Sequence, residues 1–167
     1  MYKRQGLGRI HRKVTLDLSS WRVAAHYGCH YLKPIEAHDS FDDPEDPRSL
    51  DGLITALGAQ SIDYEGRDQC CGGGILGADE TTALALPHLK LERVAAVEAD
   101  AMVVICPFCD IMYEFQQRRI EKLYGARYRL PVLFYPQLLG LSIGLTADEV
   151  GLRLNRVKSR KLMELAR

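Results

Sequence analysis

The chain has 167 residues, room for one domain of ordinary size, and its 47% hydrophobic and 26% charged residues match an average globular composition, which excludes wholesale disorder. Lys plus Arg number 22 and Asp plus Glu number 22, so the cation surplus of a sequence-independent nucleic-acid binder is missing. Five cysteines, an odd number, exclude a fully paired disulfide framework within one chain.

Met1 to Lys13 carries five basic residues, no acid and no apolar core region, so it reads as a basic arm or truncated end rather than a secretory signal. Trp21 to Tyr27 is a candidate buried strand ending at Gly28-Cys29. Ala37 to Arg48 is acidic and proline-interrupted, and the acidic stretch Asp39 to Asp51 reads as a solvated loop. Ser49 is placed to cap a short helix over Leu50 to Leu57, which Gly58 ends. Ser61 to Tyr64 is a second short strand, followed by the cluster Cys70-Cys71-Gly72-Gly73-Gly74.

A helix is expected between Thr81 and Glu98, with Pro87 kinking it or marking its true start. Ala101 to Ile105 is the kind of apolar run that a strand covered on both faces shows. Pro107 and Phe108 open a helix, ending at Gly125, in which Phe108, Ile111, Met112 and Phe115 share one face. Leu130 to Ala147 has 18 residues without a charge, the length of a membrane span, yet two prolines and several polar or flexible positions interrupt it. The preferred reading is a fourth strand, Val132 to Tyr135, and a helix starting at Pro136, with no membrane span and a cytoplasmic location. From Ala147 the pattern is a basic helical tail. Strands alternating with helices predict an α/β fold: a Rossmann-like parallel sheet of about four strands with helices on both faces.

On such a sheet Cys29, Cys70, Cys71, Cys106 and Cys109 all follow strand ends, and these ends share one edge, where ligands bind. Thiolates suit zinc, copper(I) and iron–sulfur clusters. Five exceed the four ligands of one zinc, and the vicinal pair Cys70-Cys71 suits two irons better than one. Gly72 and Gly73 allow close backbone approach, with N–H groups available to sulfur. Cys106-Pro107-Phe108-Cys109 alone would also suit a thioredoxin-type dithiol, which leaves the other three cysteines without a role. The glycine run lacks the phosphate-loop pattern. His26 and His30 flank Cys29, as sulfur or substrate donors or as plain scaffold.

Cys29 is followed after 40 residues by Cys70-Cys71-Gly72, and 34 residues separate Cys71 from the Cys-x-x-Cys at Cys106. With the strings HYGCHYLKP, DYEGRDQCCGGG, ADAMVVICPFCDIMYEFQ and LPVLFYPQLLGLSIGL, this pattern resembles the cysteine-rich CCG domain found in the B-type subunit of heterodisulfide reductase, from about Val14 to Val157. The module also occurs in iron–sulfur subunits of glycolate oxidase, of lactate-utilisation enzymes and of thiol-dependent fumarate reductase. The resemblance implies a Rossmann-like domain over residues 14–146, with the five cysteines holding one non-cubane 4Fe–4S cluster. It further implies electrons from a ferredoxin-like subunit, itself reduced through a flavoprotein subunit, and reductive cleavage of a small disulfide of the CoB-CoM type. The alternative is an electron-transfer subunit of a glycolate/lactate dehydrogenase or fumarate reductase complex, and a third reading is a structural zinc module. In heterodisulfide reductase the B-type subunit has two modules in tandem. This chain matches the second, so a second CCG module is an expected partner.

Overall fold

The computed structural model describes residues 6–38 and 41–165. Met1–Gln5 of the basic arm, Asp39 and Ser40 of the acidic stretch, and the last two residues of the tail lie outside the described residues. Four strands, β1 (Arg22–His26), β2 (Gln60–Ile62), β3 (Ala101–Val104) and β4 (Val132–Phe134), form one all-parallel sheet in the order β2-β1-β3-β4. The helices are α1 (Leu7–His11), α2 (Cys29–Leu32), α3 (Ser49–Ala56), α4 (Glu80–Ala96), α5 (Pro107–Asp110), α6 (Gln117–Tyr124), α7 (Tyr135–Ser142) and α8 (Arg160–Leu165). This is the α/β architecture expected from the alternating pattern. Each strand lies within a few residues of its expected bounds.

Alternation along the strands divides the interior into two layers. Val23, Ala25, Ala101, Val103 and Leu133 face Leu50, Ile54, Leu57, Leu138, Leu141 and Leu162. Ala24, Met102, Val104 and Val132 face Ala83, Leu84, Leu91, Val94, Met112 and Ile120. Both faces are therefore covered, as parallel sheets require. The chain order reverses between β1 and β3, a topological switch point at the centre of the sheet. Among the described residues no helix is long and apolar enough to cross a membrane, and the uncharged Leu130 to Ala147 segment supplies β4 and α7, with Pro136 in the first helical turn.

Several local expectations are corrected. Ser49 lies inside α3 rather than capping it, and the carboxylate of Asp42 accepts from the N–H groups of Arg48 and Ser49 instead. The acidic stretch is not simply solvated: Arg67, buried at 6% exposure, is clamped by Asp46, Asp51 and Asp63. Asp51 also accepts from Ser61 Oγ at 2.6 Å and from the Tyr27 hydroxyl, so it joins β1, β2 and the loop before Cys70. The segment from Ala147 is not one helix; Gly151 adopts a left-handed φ of 69°, and helix returns at Leu152–Leu154 and α8. Between them Asn155 donates to the Val132 carbonyl at 2.7 Å, while Glu114 accepts from the N–H groups of Arg156 and Val157. Glu114 thereby takes the N–H groups of Arg156 and Val157 that a continuous helix would use, while Asn155 ties the tail to β4.

Pro87 neither ends nor starts α4, which begins at Glu80 with Asp79 accepting from Thr82 N–H at 3.1 Å. Lacking an N–H, Pro87 leaves the Ala83 carbonyl without its helical partner. Gly72 packs against that carbonyl: its φ is +79°, and a Cβ there would lie 2.5 Å from the Ala83 oxygen. The helix opened by Pro107 is interrupted by a π-helical turn at Ile111–Phe115. The wider turn rotates the apolar face, burying Met112 and Tyr113 and leaving Phe108, Ile111 and Phe115 exposed, contrary to the single shared face expected.

Two substitutions test this scaffold. Asp51→Ala leaves the Tyr27 hydroxyl and the buried Arg67 short of an acceptor and is expected to cost about 3 kcal/mol in denaturant unfolding. Gly72→Ala combines an unfavourable φ with overlap on α4 and is expected to cost about 2 kcal/mol or more in the same measurement, whereas Gly74→Ala, where nothing lies within 4 Å of the added Cβ, should cost less than half as much.

Candidate metal centre

Three loops leaving the carboxyl ends of β1, β2 and β3 meet at the switch point. Cys29 starts α2 two residues after Tyr27, Cys70 and Cys71 lie before α4, and Cys106 and Cys109 flank the start of α5. Gly28 (φ +68°) brings the first and third loops together, since a Cβ there would lie 3.1 Å from Cys106 Cβ and 3.4 Å from Cys109 Sγ. Gly73 does the same for the second and third, its absent Cβ lying 3.2 Å from Phe108 Cβ and 3.4 Å from Cys71 Sγ. At both positions the side chain is missing where another loop must approach.

The structure brings all five sulfurs together. Cys29 neighbours Cys70, Cys71 neighbours Cys109, and Cys109 also neighbours Cys106. Cys71 and Cys109 are buried, Cys29 and Cys106 partly so, and Cys70 is exposed. The backbone N–H groups of Gly72 and Gly73 donate to Cys70 Sγ at 3.3 Å and Cys71 Sγ at 3.4 Å. The hydrogen bond from Cys109, with the Gly73 N–H, pulls the Cys71 thiol down to about 6, and the same bond with burial pushes Cys109 well up. Burial, and then the neighbouring Cys70 and Cys71, raise Cys29.

The two flanking histidines separate in role. His26 is buried, and its Nε2 lies 3.2 Å from Cys109 Sγ. Burial, and then the Lys90 charge, hold it neutral. His30 is exposed; its backbone N–H, not its imidazole, reaches the Cys29 sulfur.

Sequence reasoning missed Lys90, Tyr113 and Arg67. Lys90 lies 1% exposed on the inner face of α4, among Ala83, Pro87, Leu91 and Val94. A lone cation at a helical core position was the signal available. Burial brings its ammonium down to about 7, opposed by the sulfurs of Cys109, Cys71 and Cys70 and by Asp68.

Among the described residues no three His, Cys, Asp or Glu side chains surround a single point in the manner of a one-ion site. The sulfurs instead form one neighbouring pair, Cys29 with Cys70, and one neighbouring trio, Cys71, Cys109 and Cys106. Tyr113 Oη is buried without a hydrogen-bond partner, within electrostatic reach of Cys71, Cys109 and Cys70, and its ring packs edge-on to His26 at 4.8 Å. An orphaned donor beside five thiols, under glycines that leave room for close approach, fits the iron–sulfur group that the resemblance implies.

Comparison with known proteins agrees with this chemistry. The cysteine-rich CCG domain model matches residues 23–114. The chain is 35% identical over 161 residues to the B-type subunit of the ferredoxin:CoB-CoM heterodisulfide reductase of Methanosarcina mazei, covering 95% of this chain and 53% of that protein. It is 34% identical over 158 residues to the 8-methylmenaquinol:fumarate reductase membrane anchor subunit of Wolinella succinogenes, covering 95% and 55%. An uncharacterised iron–sulfur protein of Methanococcus maripaludis is 28% identical over 119 residues, 64% of this chain and 24% of that protein. A crystal structure of a hypothetical protein from Helicobacter pylori superposes with a TM-score of 0.70 at 14% identity, covering 89% of this chain and 26% of that one, a likeness of fold. The chain spans about half the length of the curated relatives it matches first. With its cysteines, its parallel sheet and these relatives in agreement, the chain belongs to the cysteine-rich CCG domain family and is similar over nearly all of its length to the B-type subunit of heterodisulfide reductase.

Proposed function

We propose that this chain is the cluster-carrying module of a heterodisulfide-reductase-like complex, with Cys29, Cys70, Cys71, Cys106 and Cys109 holding one non-cubane 4Fe–4S cluster. What supports this reading is the convergence of the three cysteine-bearing loops at one rim of the sheet, where each thiol neighbours at least one other. When bound, such a cluster supplies electrons one at a time, and soft iron for sulfur, to a net reaction in which a disulfide takes up two electrons and two protons and becomes two thiols.

The chain's own residues prepare that chemistry. Cys71, pulled down by the Cys109 hydrogen bond and the Gly73 N–H, is readied to bind a soft metal as thiolate. The Gly72 N–H donates to the sulfur of Cys70, the exposed cysteine, at 3.3 Å. Phe108, 59% exposed beside Gly73, presents an apolar surface at the cysteine-bearing rim, suited to the carbon chain of a small disulfide. The electrons come from a ferredoxin-like subunit with its flavoprotein subunit, in a cytoplasmic assembly that includes a second CCG module. The half-length match to the heterodisulfide reductase relative supports that last partner.

A second reading has one observation in its favour, the similarity to a fumarate reductase subunit. In it the module relays electrons and no thiol or disulfide reacts.

Anaerobic preparation of the chain, with iron, acid-labile sulfide and zinc counted, is the first test. Several irons with matching sulfide are expected; one zinc without sulfide overturns the proposal in favour of a structural module. Cys71→Ser is expected to abolish or convert the cluster while far-UV circular dichroism stays unchanged. A normally assembled cluster in that variant would refute the ligand set. Thiols should perturb the paramagnetic spectrum of the oxidised cluster, and an unresponsive spectrum would favour the electron relay.

A further inference from the structure

We propose that Lys90 and His26 are a positioning pair for the cluster: Lys90 fixes His26 in the tautomer whose Nε2–H donates to Cys109 Sγ, and the pair raises the reduction potential of the iron–sulfur group. The potential claim rests on the cluster reading above; the hydrogen-bond assignment does not.

The assignment follows from counting donors and acceptors. A lysine ammonium has three N–H donors and no acceptor. Lys90 Nζ has three neighbours at hydrogen-bond distance: the Gln69 carbonyl at 2.6 Å, His26 Nδ1 at 3.1 Å and the Arg67 carbonyl at 3.3 Å. Two of these are obligate acceptors, so in the charged form of Lys90, which the nearby sulfurs and Asp68 favour against burial, the third N–H is aimed at His26 Nδ1, which then accepts. A neutral imidazole that accepts at Nδ1 carries its proton at Nε2. That nitrogen lies 3.2 Å from Cys109 Sγ, so the ring donates to sulfur. The edge-on Tyr113 ring, at 4.8 Å, holds the imidazole plane.

The position of Lys90 asks for such a role. An ammonium 1% exposed on an apolar helix face costs several kcal/mol unless charge and hydrogen bonds offset it. Among the described residues Lys90 makes no ion pair with Asp or Glu; its direct partners are two carbonyls and one imidazole. The sulfurs of Cys109, Cys71 and Cys70 are within its electrostatic reach, as is Asp68. A buried positive charge and an N–H···S hydrogen bond both favour the more negative, reduced form of a sulfur-ligated group. The two carbonyls belong to the loop that carries Cys70, so the same ammonium also fixes where that loop lies.

The test uses the full chain, metal-free and anaerobically loaded. In the metal-free wild type, 15N chemical shifts of the His26 ring are expected to show Nε2 protonated and Nδ1 as a hydrogen-bonded acceptor. A ring protonated at Nδ1 overturns the pairing. In the loaded protein, Lys90→Met and His26→Leu are expected to keep wild-type iron and sulfide. Their redox equilibrium should shift at least tenfold towards the oxidised form, about 59 mV for a one-electron couple. His26→Gln, whose amide both accepts from Lys90 and donates to Cys109, is expected to restore most of the shift. Full loading with an unchanged potential in both Lys90→Met and His26→Leu overturns the electrostatic role. A chain that takes up no iron overturns the cluster reading and the potential claim with it, while the His26 tautomer still decides the pairing.

Discussion

Parallel strands place their carboxyl ends on one side of a sheet, and that constraint is what lets five cysteines spread over 81 positions, from Cys29 to Cys109, meet. β1 and β3 lie side by side at the centre, so the loops after them diverge around a shared gap. The closeness of those loops depends on Gly28, where a side chain would fill the space between Cys106 and Cys109. Gly73 plays the same part between the second and third loops. A site made this way has its spacing set by backbone packing.

Behind the sulfurs stands a layer of buried charge. Arg67 is held by three carboxylates and turns its own carbonyl to Lys90, which in turn meets His26. Burying such groups is unfavourable compared with apolar packing unless each is fully partnered. Here the partners link the acidic loop, β2 and α4 to the loop of Cys70 and Cys71. The same contacts that fix the loop also bring positive charge to where thiolate charge accumulates. Stability and electrostatics therefore come from one network, and the chain order of its members gives no hint of it.

The sulfurs are graded from inside to outside. Cys109 and Cys71 are buried beside His26 and Tyr113, whereas Cys70 is exposed, as is Phe108 beside Gly73. The π-helical turn after Cys109 produces part of this gradient, since it turns Met112 and Tyr113 inward and leaves Phe108 and Ile111 at the rim. A helix without that turn would have buried the apolar edge beside the site.

Strand positions, the α/β class and the five cysteines were legible in the sequence because they depend on local patterns: apolar runs, glycine and proline punctuation, and the position of each cysteine after a strand. The corrections concern groups whose partners are distant in the chain. Ser49 lost its capping role to Asp42, the acidic residues found Arg67, and the tail gave up helix to contacts with Val132 and Glu114. Of the two histidines beside Cys29, only the packing of α4 against the sheet could choose His26, because Lys90 lies 64 positions away in the chain. Local pattern by itself determined which residues form the strands and that the thiols follow their ends. Tertiary packing alone decided which polar groups meet them, because a buried donor must take whatever acceptor the fold brings within reach.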